Sequence, residues 1–253
     1  MIYDLQKANM WKRLSAYILD IILICIVATG VAFALSAMLG YDSYSEKLDA
    51  YYDSYEEKYF IDFDITSEDY DKLSDADKAR YEAANEEFSK DPAVLQTYNM
   101  LINLTLIIIT FGILGAYLIL ELAVPMIFKN GQTVGKKIFG IAVTFPEGIR
   151  LTPFALFVRT VFGKFTIETM VPVLIVLMIL LGTMNVIGAI VIILLLILQI
   201  AMLIVTKTNS AIHDLIANTV VVDLASQMIF ESADELIEYK KRVHAEQVER
   251  APY

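Results

Sequence analysis

Residues 11–39 read WKRLSAYILDIILICIVATGVAFALSAML, an apolar run from Leu14 onward that carries a single acid, Asp20, with Arg13 at its mouth. About 20 predominantly apolar residues cross a bilayer core of roughly 30 Å, so the run is long enough to be a spanning helix. At 1.5 Å per residue Asp20 sits about 10 Å inside. A carboxylate there costs on the order of 2.5–3.5 kcal/mol to insert, which marks it as a functional candidate whose partner has to be found. Arg13 and Asp20 are seven residues apart, two helical turns, and so share a face.

The composition agrees with a membrane protein. The chain has 253 residues, 57% of them hydrophobic and concentrated in blocks, and a net charge of −10. Residues 41–97 hold 17 acids against 6 bases, a net −11, so the remainder is near neutral at +1. No basic region suits nucleic acid. Cys25 is the single cysteine, which excludes an intrachain disulfide or a cysteine metal cage. Lys7, Lys12 and Arg13 before an apolar run also resemble a signal peptide. A signal h-region is shorter, about 7–15 residues, and would not usually hold an aspartate, so an uncleaved first span is expected.

Asp91-Pro92 is a helix start, an N-cap acid followed by proline at N1. The helix it opens is expected to run to about Phe128, interrupted within its apolar part by Asn103 and Glu121. Glu121 lies eight residues before Lys129, which places it at a depth similar to Asp20 from the same side, unless it is lifted to the interface by a tilted helix end. Residues 129–153, KNGQTVGKKIFGIAVTFPEGIRLTP, form a polar connection. Its Gly131–Lys136 segment fails as a phosphate loop: the glycine spacing is one residue short and Lys137 replaces the magnesium-holding hydroxyl. Lys137–Phe145 reads as a short strand, with Pro146-Glu147-Gly148 turning into a second one. Thr152-Pro153 opens a helix bearing Arg159, Lys164 and Glu168, of which the last two are four apart and spaced to pair. That helix either lies on the membrane surface or runs on past Pro172 to Leu181 as a span. Asn185–Thr206 is the last crossing, with Gln199 inside it.

Either arrangement gives four crossings. The positive-inside rule puts Lys7, Lys12, Arg13, Lys129, Lys136, Lys137, Arg150 and Lys207 on one side, so both termini are expected to be cytoplasmic. The acidic segment is then extracytoplasmic. In it Tyr41, Tyr44, Leu48, Tyr51, Tyr55 and Tyr59 recur at helical spacing, continuing the first span outward. Ser74-x-x-Asp77 opens a second helix to Ser89, whose Tyr81 and Phe88 are placed to pack on the stripe. This hairpin reads as a solvated cap, a cation-attracting vestibule or a docking knob. Its carboxylates lack the ordered spacing of a calcium loop. Ser232-x-x-Glu235 is a capping box opening a charged C-terminal helix, in which His244 stands alone.

Three segments together resemble the RDD family of membrane proteins: Arg13-x-x-Ala16-x-x-x-Asp20, then Gly131-Gln-Thr-Val-Gly-Lys-Lys-Ile-Phe-Gly140-Ile-Ala-Val, and Ser210-Ala-Ile-His213-Asp214-Leu-Ile-Ala-Asn218-Thr219-Val-Val. The resemblance covers roughly residues 9–40 and 98–223 and maps the family's arginine and two aspartates onto Arg13, Asp20 and Asp214. The acidic insertion departs from the pattern, as does Asn218 where a glycine is usual, although asparagine tolerates a left-handed backbone. Family membership implies either monovalent cation/proton antiport or a scaffold or accessory role.

The expected protein is therefore an all-α, four-span integral membrane protein, N-in and C-in, of a plasma membrane, specifically a bacterial inner or cell membrane. Its segments are 1–40 (first span), 41–97 (acidic hairpin), 98–128 (second span), 129–153 (Gly/Lys connection), 154–206 (amphipathic helix, third and fourth spans) and 207–253 (tail with the His213-Asp214 motif and a charged helix). A carboxylate inside a membrane can hold either a proton or a cation, and competition at one site couples the two. The transport reading assigns Asp20 as the exchanging acid, Glu121 as second ligand, Arg13 as the group restraining Asp20, and His213 with Asp214 as the cytoplasmic approach. The alternative reading makes the same cluster structural, a clamp between Arg13 and Asp214 with Asp20 capping a neighbour, in a scaffold that recruits a partner. Arg159, Lys164 and Glu168 are secondary polar candidates. Membrane lipid, protons, monovalent cations, a second copy of the chain and a protein partner are the expected partners. No cofactor, metal site, nucleotide site, nucleic acid or enzyme activity is expected, since no hydrolytic triad, zinc motif or dinucleotide loop occurs.

Overall fold

A computed structural model describes residues 5–184, 186–206 and 208–250, with Arg250 by its backbone alone. Asn185 and Lys207, which figure in the last crossing and in the charge asymmetry, lie outside the described residues. Among the described residues four helices are long and apolar enough to cross a membrane: Met10–Leu39, Pro92–Phe128, Pro153–Leu180 and Val186–Val205. The fourth has apolar side chains exposed all along it, among them Ile187, Leu196 and Ile204 at 70%, 58% and 73%. Such a surface is an aggregation hazard in water and an ordinary one in lipid. The chain is a helical multi-pass membrane protein.

Pro153–Leu180 is one continuous helix, long and apolar enough to cross a membrane. It is not uniform. Over Val158–Met170 its hydrogen bonding widens to i→i+5, as it does over Leu118–Ala123 in the second span. Widened turns of this kind gather at functional sites, and these two stretches carry Arg159, Lys164, Glu168 and Glu121.

The chain divides into two compact units, Met1–Ala28 with Ile113–Tyr253 and Thr29–Gly112. In the first, Ile24, Ala116, Tyr117, Phe165 and Met170 pack into an apolar core. The fourth span meets the third at Gly188, where a Cβ would come within 3.2 Å of Ile179, the small-residue contact that lets membrane helices approach. The connection after the second span opens with a short helix, Val134–Ile138, and then strand β1, Ile141–Thr144. The expected hairpin partner following Gly148 supplies a single bridge, Thr144 to Arg150. The strand that pairs with β1 is β2, Val220–Asp223, antiparallel with Ala142 opposite Val222. Residues 6–8 add an edge, Ala8 N–H donating to Val221 O and Asp223 N–H to Gln6 O. Both strands are almost wholly buried, so their alternation is absent and local pattern could not choose the partner. Ile141, Val143 and Val221 share a core with Ala8, Ala16, Leu151 and Leu156.

In the second unit the first span ends at Leu39. Gly40 is left-handed (φ 68°) and starts a separate helix, Tyr41–Tyr59, so the stripe does not simply continue the span. A helix over Asp75–Lys90 follows, capped by Ser74, whose hydroxyl accepts from Asp77 N–H. Phe88 packs on Tyr52 (4.6 Å) and Tyr55 (5.3 Å), whereas Tyr81 packs on Phe63 and Tyr70 rather than on the stripe. Tyr55 donates to Asp91 (2.9 Å), and burial with that bond pushes its hydroxyl up to about 12. Asp91 also caps the second span through Ala93 N–H (2.7 Å). The charged tail forms a helix over Ala233–Arg250.

Candidate functional site

The buried charges of the first unit converge on the ends of the spans and the two polar segments that pack there. Asp20 is 6% exposed, and both its oxygens are occupied. Oδ2 accepts from the Thr133 hydroxyl (2.5 Å) and Oδ1 from Gly135 N–H (2.8 Å), with Lys136 Nζ 3.6 Å from Oδ2. The first span's acid therefore caps the short helix Val134–Ile138 from outside it, beside Thr133, the local N-cap that accepts from Lys136 N–H. A helix N-terminus presents unpaired N–H groups and a positive dipole end, which suits a carboxylate. Gly135 is required for this approach: a Cβ would meet Ala16 O at 2.3 Å and Asp20 Oδ1 at 2.8 Å. The Gly/Lys connection thus docks on the first span by backbone contact and one acid.

Asp214 is the second hub. Its Oδ1 accepts from Arg159 Nε (3.1 Å), Arg159 Nη2 (2.8 Å) and the Thr219 hydroxyl (3.1 Å). Oδ2 takes Arg13 Nη2 (3.4 Å) and Ala211 N–H (3.3 Å). The Arg13–Asp214 pair exists, but Arg159 is the closer and better buried partner. Arg13 is engaged with Asp214 and the Thr208 carbonyl (3.3 Å) rather than with Asp20, so the group beside Asp20 is Lys136. Burial would raise the Asp214 carboxyl, yet the charges of His213, Arg159 and Arg13 hold it well below the usual carboxylate range.

Lys164 and Glu168 do not pair with each other. Lys164 Nζ donates to Glu121 Oε1 (2.5 Å), and Glu168 accepts from His213 N–H (2.9 Å) and meets His213 Nδ1 at 2.7 Å. The widened helix explains the arrangement. Arg159 and Glu168 are nine residues apart and face opposite sides at 100° per residue in an α-helix. At about 4.4 residues per turn in the wider form they fall within roughly 20° of each other, and Lys164 lies nearby. Gly163 on the same stretch lets the segment Ile212–Ile216 lie against it, since a Cβ would meet His213 Cα at 2.7 Å. Burial pushes the His213 imidazole down, with Asp214 and Glu168 opposing and Arg159 reinforcing.

Glu121 is 2% exposed. Its Oε1 is held by Lys164, while Oε2 is buried with no hydrogen-bond partner among the described residues. Burial pushes the nearby Lys136 ammonium down to about 8; Lys164 adds to the push, and Glu121 and Asp20 oppose it. A cavity of about 230 Å3 adjoins the cluster, walled by Arg13, Lys136, Arg159, Lys164, Glu168 and Asp214 and by apolar residues of the first and fourth spans. The five primary candidates and the three secondary ones thus fall in one cluster. Sequence reading passed over Thr133 and Lys136 as participants. The Thr133-x-x-Lys136 N-cap spacing was legible, but nothing in it named an acid on another helix as its partner. Among the described residues no group of three or more His, Cys, Asp or Glu side chains could hold a metal ion.

Four acids with polar partners, three on candidate membrane helices and Asp214 on a docked polar segment, define a multi-pass membrane protein with a buried ionic cluster. The family model described as "RDD family" matches residues 7–218. The chain belongs to the RDD family. No curated protein and no solved structure matches it.

Proposed function

We propose that the chain is a secondary transporter exchanging a monovalent cation for protons, with Glu121 as the cation-binding acid and Lys136 as the proton-releasing group. One observation carries this: a carboxylate oxygen, buried within a candidate membrane helix, that has no donor among the described residues. Such an atom costs free energy until a proton or cation meets it. A cation at Oε2 would take over part of the compensation that Lys164 and Lys136 supply. Lys136, already near 8, then gives its proton to water. One proton leaves as one cation binds, and the charge of the site is unchanged. Asp20, with both oxygens filled, is read here as positioning the Gly/Lys connection and Lys136.

The topology that goes with this reading is N-in and C-in, with the cluster on the cytoplasmic side of a bacterial cell membrane and the acidic hairpin outside. The charge asymmetry of the polar segments supports it. The test is proton flux in proteoliposomes under Na⁺, Li⁺ and K⁺ pulses. Wild type should exchange at least one of these ions, and Glu121→Gln should not, with both proteins monodisperse. Equal flux from Glu121→Gln refutes the assignment. The scaffold reading is favoured by the complete pairing of the other three acids. It predicts silence in wild type and a protein co-purifying from native membranes that is lost when 42–90 or 226–253 is deleted.

A further inference from the structure

The cavity wall is not charge-balanced. Arg13, Lys136, Arg159 and Lys164 face it against Glu168 and Asp214, while Asp20 and Glu121, which compensate the two lysines, lie behind the wall. An ammonium has three donors. Among the described residues Lys164 Nζ bonds Glu121 and Lys136 Nζ bonds Thr133, so both keep donors to offer. Apolar side chains of the spans also line it, Met10 and Leu14 of the first, each 46% exposed, and Leu203 of the fourth, beside the polar Tyr17 and Gln199.

We propose that this cavity is a binding site for the phosphate headgroup of an anionic lipid, which reaches it sideways between the first and fourth spans. Two properties of the cavity are met at once by this ligand class. Its four lining bases, with lysine donors left over, suit an anionic oxygen. Its apolar side belongs to helices whose outer faces are covered by lipid, so an acyl chain leaving the cavity there stays in hydrocarbon. A small hydrophilic anion uses only the charged half. The volume of about 230 Å3 admits a phosphate group with several waters, at about 30 Å3 for each water. Basic pockets between membrane helices are the general form of such sites. His213 also lines the cavity, and burial pushes its imidazole toward the uncharged form. The cavity shares Lys136 and Lys164 with the proposed exchange, but its test requires no flux.

The experiment is native mass spectrometry of the purified full-length chain with phosphatidylglycerol and phosphatidylcholine in competition. One phosphatidylglycerol should be retained, preferred by more than about tenfold. Arg13→Gln should weaken retention about fivefold, the equivalent of about 1 kcal/mol for one basic residue at an anionic headgroup. Leu203→Trp, which fills the cavity from its apolar side and leaves every charge in place, should abolish it. Millimolar inorganic phosphate should leave the lipid bound. Equal retention of the two lipids, wild-type retention by Leu203→Trp, or displacement of the lipid by inorganic phosphate overturns the proposal. Lipid retention without cation flux leaves this site standing and counts against exchange alone.

Discussion

Gly135→Ala probes the contact on which the cluster is built. The added methyl would lie 2.3 Å from Ala16 O and 2.8 Å from Asp20 Oδ1, and the first of these is backbone of a spanning helix that cannot turn aside. The short helix Val134–Ile138 must withdraw, and Gly135 N–H then leaves Asp20 Oδ1, now at 2.8 Å. Overpacking costs about 1–3 kcal/mol, and loss of a hydrogen bond to a charged acceptor about 1.5–3 kcal/mol. The two overlap, because withdrawal relieves the clash by breaking the bond, so the expected loss is about 3 kcal/mol. Two controls separate sterics from glycine itself. Gly140 is left-handed (φ 64°) with open space at its Cβ position, so Gly140→Ala should cost only about 1–2 kcal/mol. Gly30, helical and also with open space, should tolerate alanine. The assay is the unfolding midpoint of each variant in one detergent, with hydrogen exchange over 131–144 as the local readout. A Gly135→Ala protein as stable as Gly30→Ala, with unchanged protection over 131–144, refutes the docking of this segment on the first span.

Four further outcomes are expected. Arg159→Met should destabilise by about 3–5 kcal/mol, because it strips the main partner from a buried acid, whereas Arg13→Gln, whose bond to Asp214 is 3.4 Å, should cost about 1.5 kcal/mol; chemical unfolding of both ranks them. His213 has its folded value lowered from 6.5, so the unfolded chain binds the proton more readily. Its contribution is present above about pH 6.5 and lost as pH falls from there toward the folded value, and His213→Gln should flatten the midpoint-versus-pH curve in that window. Asp214, also lowered, contributes above its unfolded value near 3.8 and loses that contribution only at strongly acid pH, so Asp214→Asn should destabilise throughout the neutral range. In the acidic segment, Phe88→Ala removes ring contacts to Tyr52, Tyr55 and Phe63. It should cost about 2 kcal/mol, less than a fully buried phenylalanine, seen as faster exchange over 41–90 with the protection of 131–144 unchanged.

The sequence by itself determined the spans, because crossing a bilayer is a requirement on length and polarity that a single segment meets alone. It determined the helix starts at Ser74 and Asp91 for the same reason, since a cap is a contact within three residues. It also carried the family motif, which singled out Asp214, and the unusual status of Asp20 and Glu121, because a charge in an apolar run is conspicuous without knowing its partner. Asn218, in the place where a glycine is usual, takes a left-handed backbone (φ 49°) as an asparagine can.

Only the tertiary structure decided who pairs with whom. Asp20 reaches Thr133 and Gly135, more than a hundred residues on, and β1 finds β2 rather than the strand next to it. Both are long-range choices made by burial. The widened turns of the third span were illegible for a different reason. A period of 3.6 was the only one read into the sequence, and on it Arg159 faces away from Lys164 and Glu168. Their common face comes with the wider hydrogen bonding, in which Arg159 meets Asp214, Lys164 meets Glu121 and Glu168 meets His213.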